Sequence, residues 1–171
     1  MRKTVVLLAS MALPLILASG VAFAATIDCT GGSCRGTRAP DTLFGTSRVD
    51  RQLGLGGRDL MYGYASADEM GGGGGADRMR GGTGRDSVRG ESGDDALYGN
   101  FANDVVNGNR GNDLVVGKQG NDTLSGDPGS DLIRAVDGEK DQINCGGGRR
   151  DQVYYDRGLD VLRGCEIRHA R

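Results

Sequence analysis

Aspartate recurs at every ninth position through the middle of the chain, and carboxylates in such regular rows suit a hard divalent cation. The series comprises Asp41, Asp50, Asp59, Asp68, Asp77, Asp86, Asp95, Asp104, Asp113, Asp122 and Asp131. Glycine keeps the same period five residues earlier, from Gly36 to Gly126. Calcium accepts about six to eight oxygen ligands, backbone carbonyls included, and glycine-rich turns leave their carbonyls unshielded. The spacing therefore predicts a row of calcium sites.

Two alternatives compete with this interpretation. Aspartates often cap turns through their own backbone, but capping explains a single aspartate and not an unbroken series. Magnesium prefers a smaller, near-octahedral cage and retains water, so calcium fits carbonyl-rich turns better. If the units stack, neighbouring carboxylates lie about 5 Å apart and repel each other by up to about 3 kcal/mol without a counter-ion.

The elements that position these aspartates follow from a second row of residues. The residue two places after each aspartate is apolar from Leu43 to Ile133, with Gln52 as the single polar exception. Each unit thus reads as a glycine-rich turn, such as 81–86, followed by a short strand, such as 87–89. If every central apolar residue faces inward, two units form one coil and residues eighteen apart stack. The expected fold is all-β and solenoidal.

The repeated pattern G-G-x-G-x-D-x-U-x, in which U is apolar, resembles the RTX (haemolysin-type) calcium-binding repeat. Units 72–80 and 81–89 match it fully, and residues 36–163 carry the resemblance. Earlier units are degenerate, with Arg48 and Ser66 in place of the glycine at the fourth position of the pattern. The resemblance implies a right-handed parallel β-roll with two units per coil and several calcium ions between successive turns.

The resemblance also implies that the carbonyls of the first and third turn residues join the carboxylates as calcium ligands. The predicted metal-binding residues are Asp59, Asp68, Asp77, Asp86, Asp95, Asp104, Asp113, Asp122 and Asp131, with Gly72, Gly74, Gly81, Thr83, Gly90 and Ser92 in the turns. We expect the best sites from Asp77 onward, where turn glycines are most frequent. Weaker or empty sites are expected from Asp41 to Asp68, because Arg48 and Ser66 occupy turn positions there.

The N-terminus has the pattern of a cleavable export signal. Arg2 and Lys3 precede an apolar run, and Ala22 and Ala24 supply small residues at a cleavage site. The run is shorter than the roughly 20 residues that a membrane span needs. The predicted organisation is a signal peptide at 1–24, an N-terminal cap at 25–35, the roll at 36–144, and a terminal coil with a C-terminal cap at 145–171. The predicted location is extracellular.

Four cysteines in an exported chain indicate two disulfides. Three pairings are possible, and the spacing favours Cys29 with Cys34 and Cys145 with Cys165. A closed zinc site with four thiolates is the alternative. The export signal and the unequal spacing of the two pairs argue against zinc.

Catalytic and nucleic-acid-binding functions find little support. His169 is the single histidine, Asp94 and Asp95 diverge as adjacent turn residues, and no Lys-Ser/Thr follows the glycine run at 71–75. A formal charge of −2 gives no general attraction to nucleic acid. We therefore expect a structural or interaction module and not an enzyme, with an accessory module of a secreted hydrolase as the alternative.

The outward residues of the strands sort into two unlike faces. One face is mainly polar. The other is mainly apolar and is interrupted by arginines; it collects Thr42, Phe44, Leu60, Tyr62, Ala96, Tyr98, Leu114, Val116 and Leu132, with Arg78, Arg80 and Arg134. Because a contiguous apolar patch usually marks an interface, this face predicts self-association or docking onto a secreted or surface protein.

Overall fold

A computed structural model describes residues 24–148 and 150–171, and in this part of the chain every regular element is a β-strand. The strands are β1 (Thr26–Asp28), β2 (Ser33–Arg35), β3 (Thr42–Phe44), β4 (Arg51–Gly56), β5 (Leu60–Ala65), β6 (Glu69–Gly74), β7 (Arg78–Thr83), β8 (Ser87–Ser92), β9 (Ala96–Phe101), β10 (Val105–Arg110), β11 (Leu114–Gln119), β12 (Thr123–Ser125), β13 (Pro128–Gly129), β14 (Leu132–Ala135), β15 (Gln142–Asn144), β16 (Gly147–Gly148), β17 (Gln152–Tyr155), β18 (Val161–Arg163) and β19 (Ile167–Ala170).

Most of the strands form two long parallel sheets that alternate along the chain, and β13 pairs with β16 in a separate two-stranded sheet. One sheet has nine strands in the order β1-β3-β5-β7-β9-β11-β14-β17-β19, and the other has eight in the order β2-β4-β6-β8-β10-β12-β15-β18. Paired residues are eighteen apart through the regular repeats, as in Met61 with Met79 and Val106 with Leu124. The predicted all-β parallel solenoid with two units per coil is confirmed.

The strands are longer than the three residues expected from the sequence. The strand β7 covers Arg78–Thr83 and therefore includes the first three residues of the following turn. Gly82 pairs with Asn100 in the next coil, so the sheet ladder continues past the apolar centre of the unit. Only the last three residues of each regular six-residue turn, such as 84–86, are left to bend the chain from one sheet to the other.

The core is a double row of inward side chains between the two sheets. Leu43, Met79 and Leu97 are fully buried, as are their equivalents in the other regular units. Gln52 is also fully buried in this row, and its Nε2 donates a hydrogen bond of 2.7 Å to the Tyr62 carbonyl. One apolar side chain per unit makes a narrow core. Contacts between the turns of successive coils are therefore also needed to hold the coils together.

The two disulfides lie near the two ends of the solenoid. Cys29 pairs with Cys34 and Cys145 with Cys165, with Cα–Cα distances of 5.0 Å and 5.1 Å, which confirms the predicted pairings. The predicted signal peptide lies outside the described residues except for Ala24. No helix among the residues that the structure describes is long and apolar enough to cross a membrane.

The two outer faces differ as predicted. On the nine-stranded sheet, Phe44 and Tyr62 stack with their ring centroids 5.5 Å apart. The Arg80 guanidinium lies between the rings of Tyr62 and Tyr98, at 5.7 Å and 5.8 Å from their centroids. Aromatic and cationic side chains therefore share one column of this face.

Candidate metal centres

Every aspartate of the regular series lies at the end of a turn, directly before a strand, and is almost fully buried. From Asp59 onward, one carboxylate oxygen, Oδ1, accepts the backbone N–H of the aspartate in the preceding coil. Asp77 N–H, for example, donates to Asp95 Oδ1 at 2.7 Å, and Asp95 N–H donates to Asp113 Oδ1 at 2.8 Å. The same bond spans the longer steps at the C-terminal end, from Asp122 to Asp141 and from Asp131 to Asp151. Half of each carboxylate thus links consecutive coils.

The other oxygen, Oδ2, has no hydrogen-bond partner among the described residues and is shielded from solvent. This holds for Asp59, Asp68, Asp77, Asp86, Asp95, Asp104, Asp113, Asp122 and Asp131, and also for Asp141 and Asp151. A buried carboxylate oxygen without a donor is costly. Such an oxygen repeated in coil after coil fits a site that is completed by a cation.

The first glycine of each turn provides the space beside this oxygen. A Cβ on Gly90 would overlap Asp95 Oδ2 and would lie 2.7 Å from the Gly108 carbonyl oxygen of the next coil. Gly72 and Gly81 are placed in the same way beside Asp77 and Asp86. The structure therefore brings the predicted first-position glycines together with their carboxylates, and a carbonyl oxygen of the next coil converges on the same space.

The predicted third-position residues lie farther along the turn, in the part that extends the sheet. The carbonyls of Gly74 and Ser92 each accept a backbone N–H from the preceding coil at 2.8 Å. A carbonyl oxygen has a second lone pair, so these two remain able to ligate a cation. Thr83 lies in the same position at the end of β7, and its hydroxyl donates to the Tyr64 carbonyl at 3.4 Å.

Backbone carbonyls have to supply most of the ligands. No three His, Cys, Asp or Glu side chains among residues 24–148 and 150–171 converge as a metal cluster would require. Calcium tolerates carbonyl-rich coordination, whereas zinc favours nitrogen and sulfur ligands and magnesium a small octahedral cage. The oxygen-only donor set fits calcium.

The turns that hold these oxygens share an unusual backbone. From turn 54–59 to turn 117–122, the second and fourth residues both have left-handed φ angles, whatever their side chain. Ser66, which replaces a glycine of the pattern, adopts φ 76° at a fourth position, and Asp68 Oδ2 in the same turn is as free as in glycine-rich turns. The number of glycines is therefore a poor guide to which turns have the free oxygen.

Two turns differ, and sequence reasoning missed the residues responsible. Thr37 and Thr46, at the second position of the first two turns, donate to Oδ2 of Asp41 and Asp50. A threonine four residues before an aspartate was the available signal, since its amide and hydroxyl are both donors.

Burial shifts the pKa values of the regularly spaced carboxyls upward. Burial raises the pKa of Asp77 to about 6, that of Asp95 to about 7 and that of Asp104 to about 8. Neighbouring carboxylates add to the effect, and the backbone N–H bond to Oδ1 opposes it. At Asp41 the donors from Thr37 and Ala25 outweigh burial, and the pKa is lowered.

A parallel solenoid with buried aspartate oxygens and glycine carbonyls along its turns is a structural cation-binding scaffold. A family model described as the RTX calcium-binding nonapeptide repeat matches the chain in four copies, at residues 35–70, 44–79, 71–106 and 107–138. Comparison with curated proteins and with solved structures gives no match. The chain belongs to the RTX calcium-binding nonapeptide repeat family, and its roll is a calcium-binding structural module.

Proposed function

We propose that this chain is a secreted β-roll that folds when calcium binds and then acts outside the cell as a structural or interaction module. The observation that carries the proposal is the row of buried Oδ2 atoms without partners. Without cations, each coil would bury a carboxylate beside the carboxylates of its neighbours. With cations, the same oxygens become ligands that join one coil to the next.

The concentration range of calcium explains why folding would wait for export. Extracellular modules bind calcium at about 10⁻⁴ to 10⁻³ M, which external calcium fills and cytosolic calcium does not. A ligand that binds only the folded state stabilises it by mass action. The chain would thus stay loose inside the cell and order itself outside.

Circular dichroism of residues 25–171 with intact disulfides tests this proposal. We expect little strand signal in chelator and a cooperative gain as calcium rises to about 10 mM, roughly ten times the top of that range. Magnesium at the same concentration is the control and should leave the signal low. A chain that is fully β in chelator, or one that does not respond to calcium, contradicts the proposal.

Export is the second part of the proposal. The basic start and the small residues of the signal-like segment support it, as do the two disulfides, which persist in oxidising compartments. Mass spectrometry of protein recovered from the medium should show an N-terminus at Ala25 and no free thiols. A full-length chain that stays in the cytosol contradicts this part.

We propose in addition that the nine-stranded face docks onto an acidic secreted or surface protein. The eight strands from β3 to β19 in this sheet contain no Asp or Glu, whereas Arg78, Arg80, Lys118 and Arg134 are exposed there. Both ion pairs among the described residues use Glu69 on the other sheet. The guanidinium of Arg80 lies between two rings and has no acidic partner among the described residues, which favours an acidic surface as its partner.

Charge reversal separates a docking face from a self-association face. Arg80→Glu with Arg134→Glu should abolish binding to the partner, while Arg163→Glu on the other sheet should not. Sedimentation of the parent shows whether it self-associates. We expect a monomer, because two copies of this face would bring positive charges together. If the double variant keeps the binding of the parent, the face plays no part in docking.

We propose that the chain has no catalytic role of its own. His169, the single histidine, stacks on Tyr154 with the ring centroids 4.5 Å apart and has no acidic neighbour in its strand. The alternative, an accessory module of a secreted hydrolase, predicts that a hydrolase co-purifies with the calcium-loaded roll. Such co-purification would favour the alternative.

A further inference from the structure

The first two turns of the roll are built differently from those that follow. In turn 36–41, Asp41 Oδ2 accepts the Thr37 amide at 2.5 Å and the Thr37 hydroxyl at 2.9 Å. In turn 45–50, Asp50 Oδ2 accepts the Thr46 amide and hydroxyl at the same two distances. The carboxylate oxygen that is free in later turns is therefore already occupied by two donors.

The backbone of these two turns differs in the same way. Neither Thr37 nor Thr46 has a left-handed φ, whereas the second residue of every turn from 54–59 to 117–122 does. The fourth residues, Ala39 and Arg48, are also outside the left-handed region, and their amides donate to the threonine hydroxyls at 3.0 Å and 3.1 Å. The threonine thus organises the whole turn around itself.

Electrostatics makes this arrangement and a bound cation mutually exclusive. An amide and a hydroxyl that donate to Oδ2 direct the positive ends of their dipoles at the place where an ion would bind that oxygen. A calcium ion there would have to displace two hydrogen bonds to a charged acceptor, which are stronger than hydrogen bonds between neutral groups. No such donors oppose an ion at Asp59 Oδ2, which has no partner among the described residues.

We infer that the calcium ladder begins at Asp59, and that Thr37 and Thr46 take the place of calcium in the first two turns. This inference rests on the proposed function, in which calcium fills the later turns. The N-terminal end of the roll is thereby closed by the chain itself.

The position of these turns gives a physical reason for the replacement. The coil before Asp50 has none of the repeated aspartates, so no aspartate N–H is available to its Oδ1. The position one coil earlier is held by Gly32, whose N–H donates to Cys29 O at 3.4 Å within the disulfide loop. Asp50 Oδ1 is consequently left without a donor among the described residues. The amide and hydroxyl of Thr46 donate to the other oxygen, Oδ2, from within the same turn, so no donor from a preceding coil is needed.

Conservative variants measured as calcium-loaded protein test the inference. Asp50→Asn keeps an acceptor for Thr46 and should leave both the number of bound calcium ions and their affinities unchanged. Asp59→Asn, the matched change in the next turn of the chain, should lose one ion or weaken it by about tenfold or more. Native mass spectrometry counts the ions, and titration calorimetry gives the affinities.

A gain-of-site variant provides the opposite readout. Thr46→Gly removes the hydroxyl and permits a left-handed φ, so the turn should acquire one additional calcium ion; Thr46→Ser keeps the hydroxyl and should not. If Asp50→Asn loses an ion as Asp59→Asn does, the inference is wrong while the proposed function stands. If the parent binds no calcium at all, the proposed function itself fails. The Asp50→Asn comparison still decides the matter if Thr46→Gly does not fold.

Discussion

Replacement of Asp95 by asparagine is expected to change the stability of the roll in opposite directions with and without calcium. The side chain keeps its shape, and its Oδ1 still accepts the Asp77 amide. What changes is the second oxygen, which becomes an amide group beside the Gly108 carbonyl. Without calcium the variant no longer buries a charge, and with calcium it lacks a charged ligand.

The magnitude follows from the pKa of the parent carboxyl. Burial raises the pKa of Asp95 from 3.8 to about 7. The folded state therefore binds this proton more tightly, so the contribution to stability is present below pH 3.8 and is lost as pH rises to about 7. At pH 7 the full difference corresponds to about 4 kcal/mol. Water entering the metal-free turn screens the charge, and we expect about 2 kcal/mol to be recovered by the variant.

In saturating calcium the sign reverses. Loss of a charged ligand should weaken the ion at this turn by about tenfold or more, which is about 1.4 kcal/mol. Folding without calcium can be driven by an excluded osmolyte such as trimethylamine N-oxide, and folding with calcium can be opposed by urea. The midpoints of both transitions, followed by circular dichroism, give the two stability changes.

Asp50→Asn serves as the control, because its Oδ2 already has donors from Thr46. It should shift the osmolyte midpoint much less than Asp95→Asn does. If Asp95→Asn destabilises the roll equally in chelator and in calcium, the carboxylate acts through its hydrogen bond alone, and the reasoning from the free oxygen is refuted.

Three further predictions concern the ladder, the core and the C-terminal end. In chelator, lowering the pH from 8 to 5 should increase the strand signal in circular dichroism, since carboxyls such as Asp104, with a pKa of about 8, become protonated and lose their mutual repulsion. In calcium the same change should weaken calcium binding, which titration calorimetry across this range would show. Leu97→Ala should cost about 2–5 kcal/mol in urea unfolding of the calcium-loaded protein, because Leu97 is fully buried in a narrow core; Leu114→Ala on the outer face should cost clearly less. Removing the disulfide with Cys145→Ser and Cys165→Ser should speed amide exchange in β15 and β18 more than in β8, and uniform exchange would contradict its role as an end clamp.

The repeat made most of the fold predictable from sequence. A nine-residue period with one inward side chain, as at Val88 and Leu97, requires alternating sides and hence two units per coil. The positions of the carboxylates and of the first-position glycines followed from the same period. Strand length did not, because the pairing of Gly82 with Asn100 depends on backbone contacts between coils and not on side-chain pattern.

Local backbone conformation explains what the sequence left uncertain at the site. Glycine count predicted weak turns at both Arg48 and Ser66. The structure separates them: Ser66 adopts the left-handed conformation of the regular turns, while Arg48 lies in a turn organised by Thr46. What distinguishes the two kinds of turn is a hydrogen-bond donor side chain at the second position. The sequence shows that donor, but only the structure shows that it reaches the aspartate four residues later.

The one-coil spacing of the solenoid has a mechanical consequence. A coil of eighteen residues adds about 5 Å to the folded axis but about 60 Å to a stretched chain. Tension applied along the axis would lengthen the molecule about tenfold, coil by coil from the ends, with calcium concentration setting the force for each step. The disulfide between Cys145 and Cys165 closes a loop of about one coil, and this loop cannot be stretched out until the disulfide is reduced. If calcium joins the coils as proposed, the roll is an extensible tether whose resistance to tension depends on the surrounding calcium concentration.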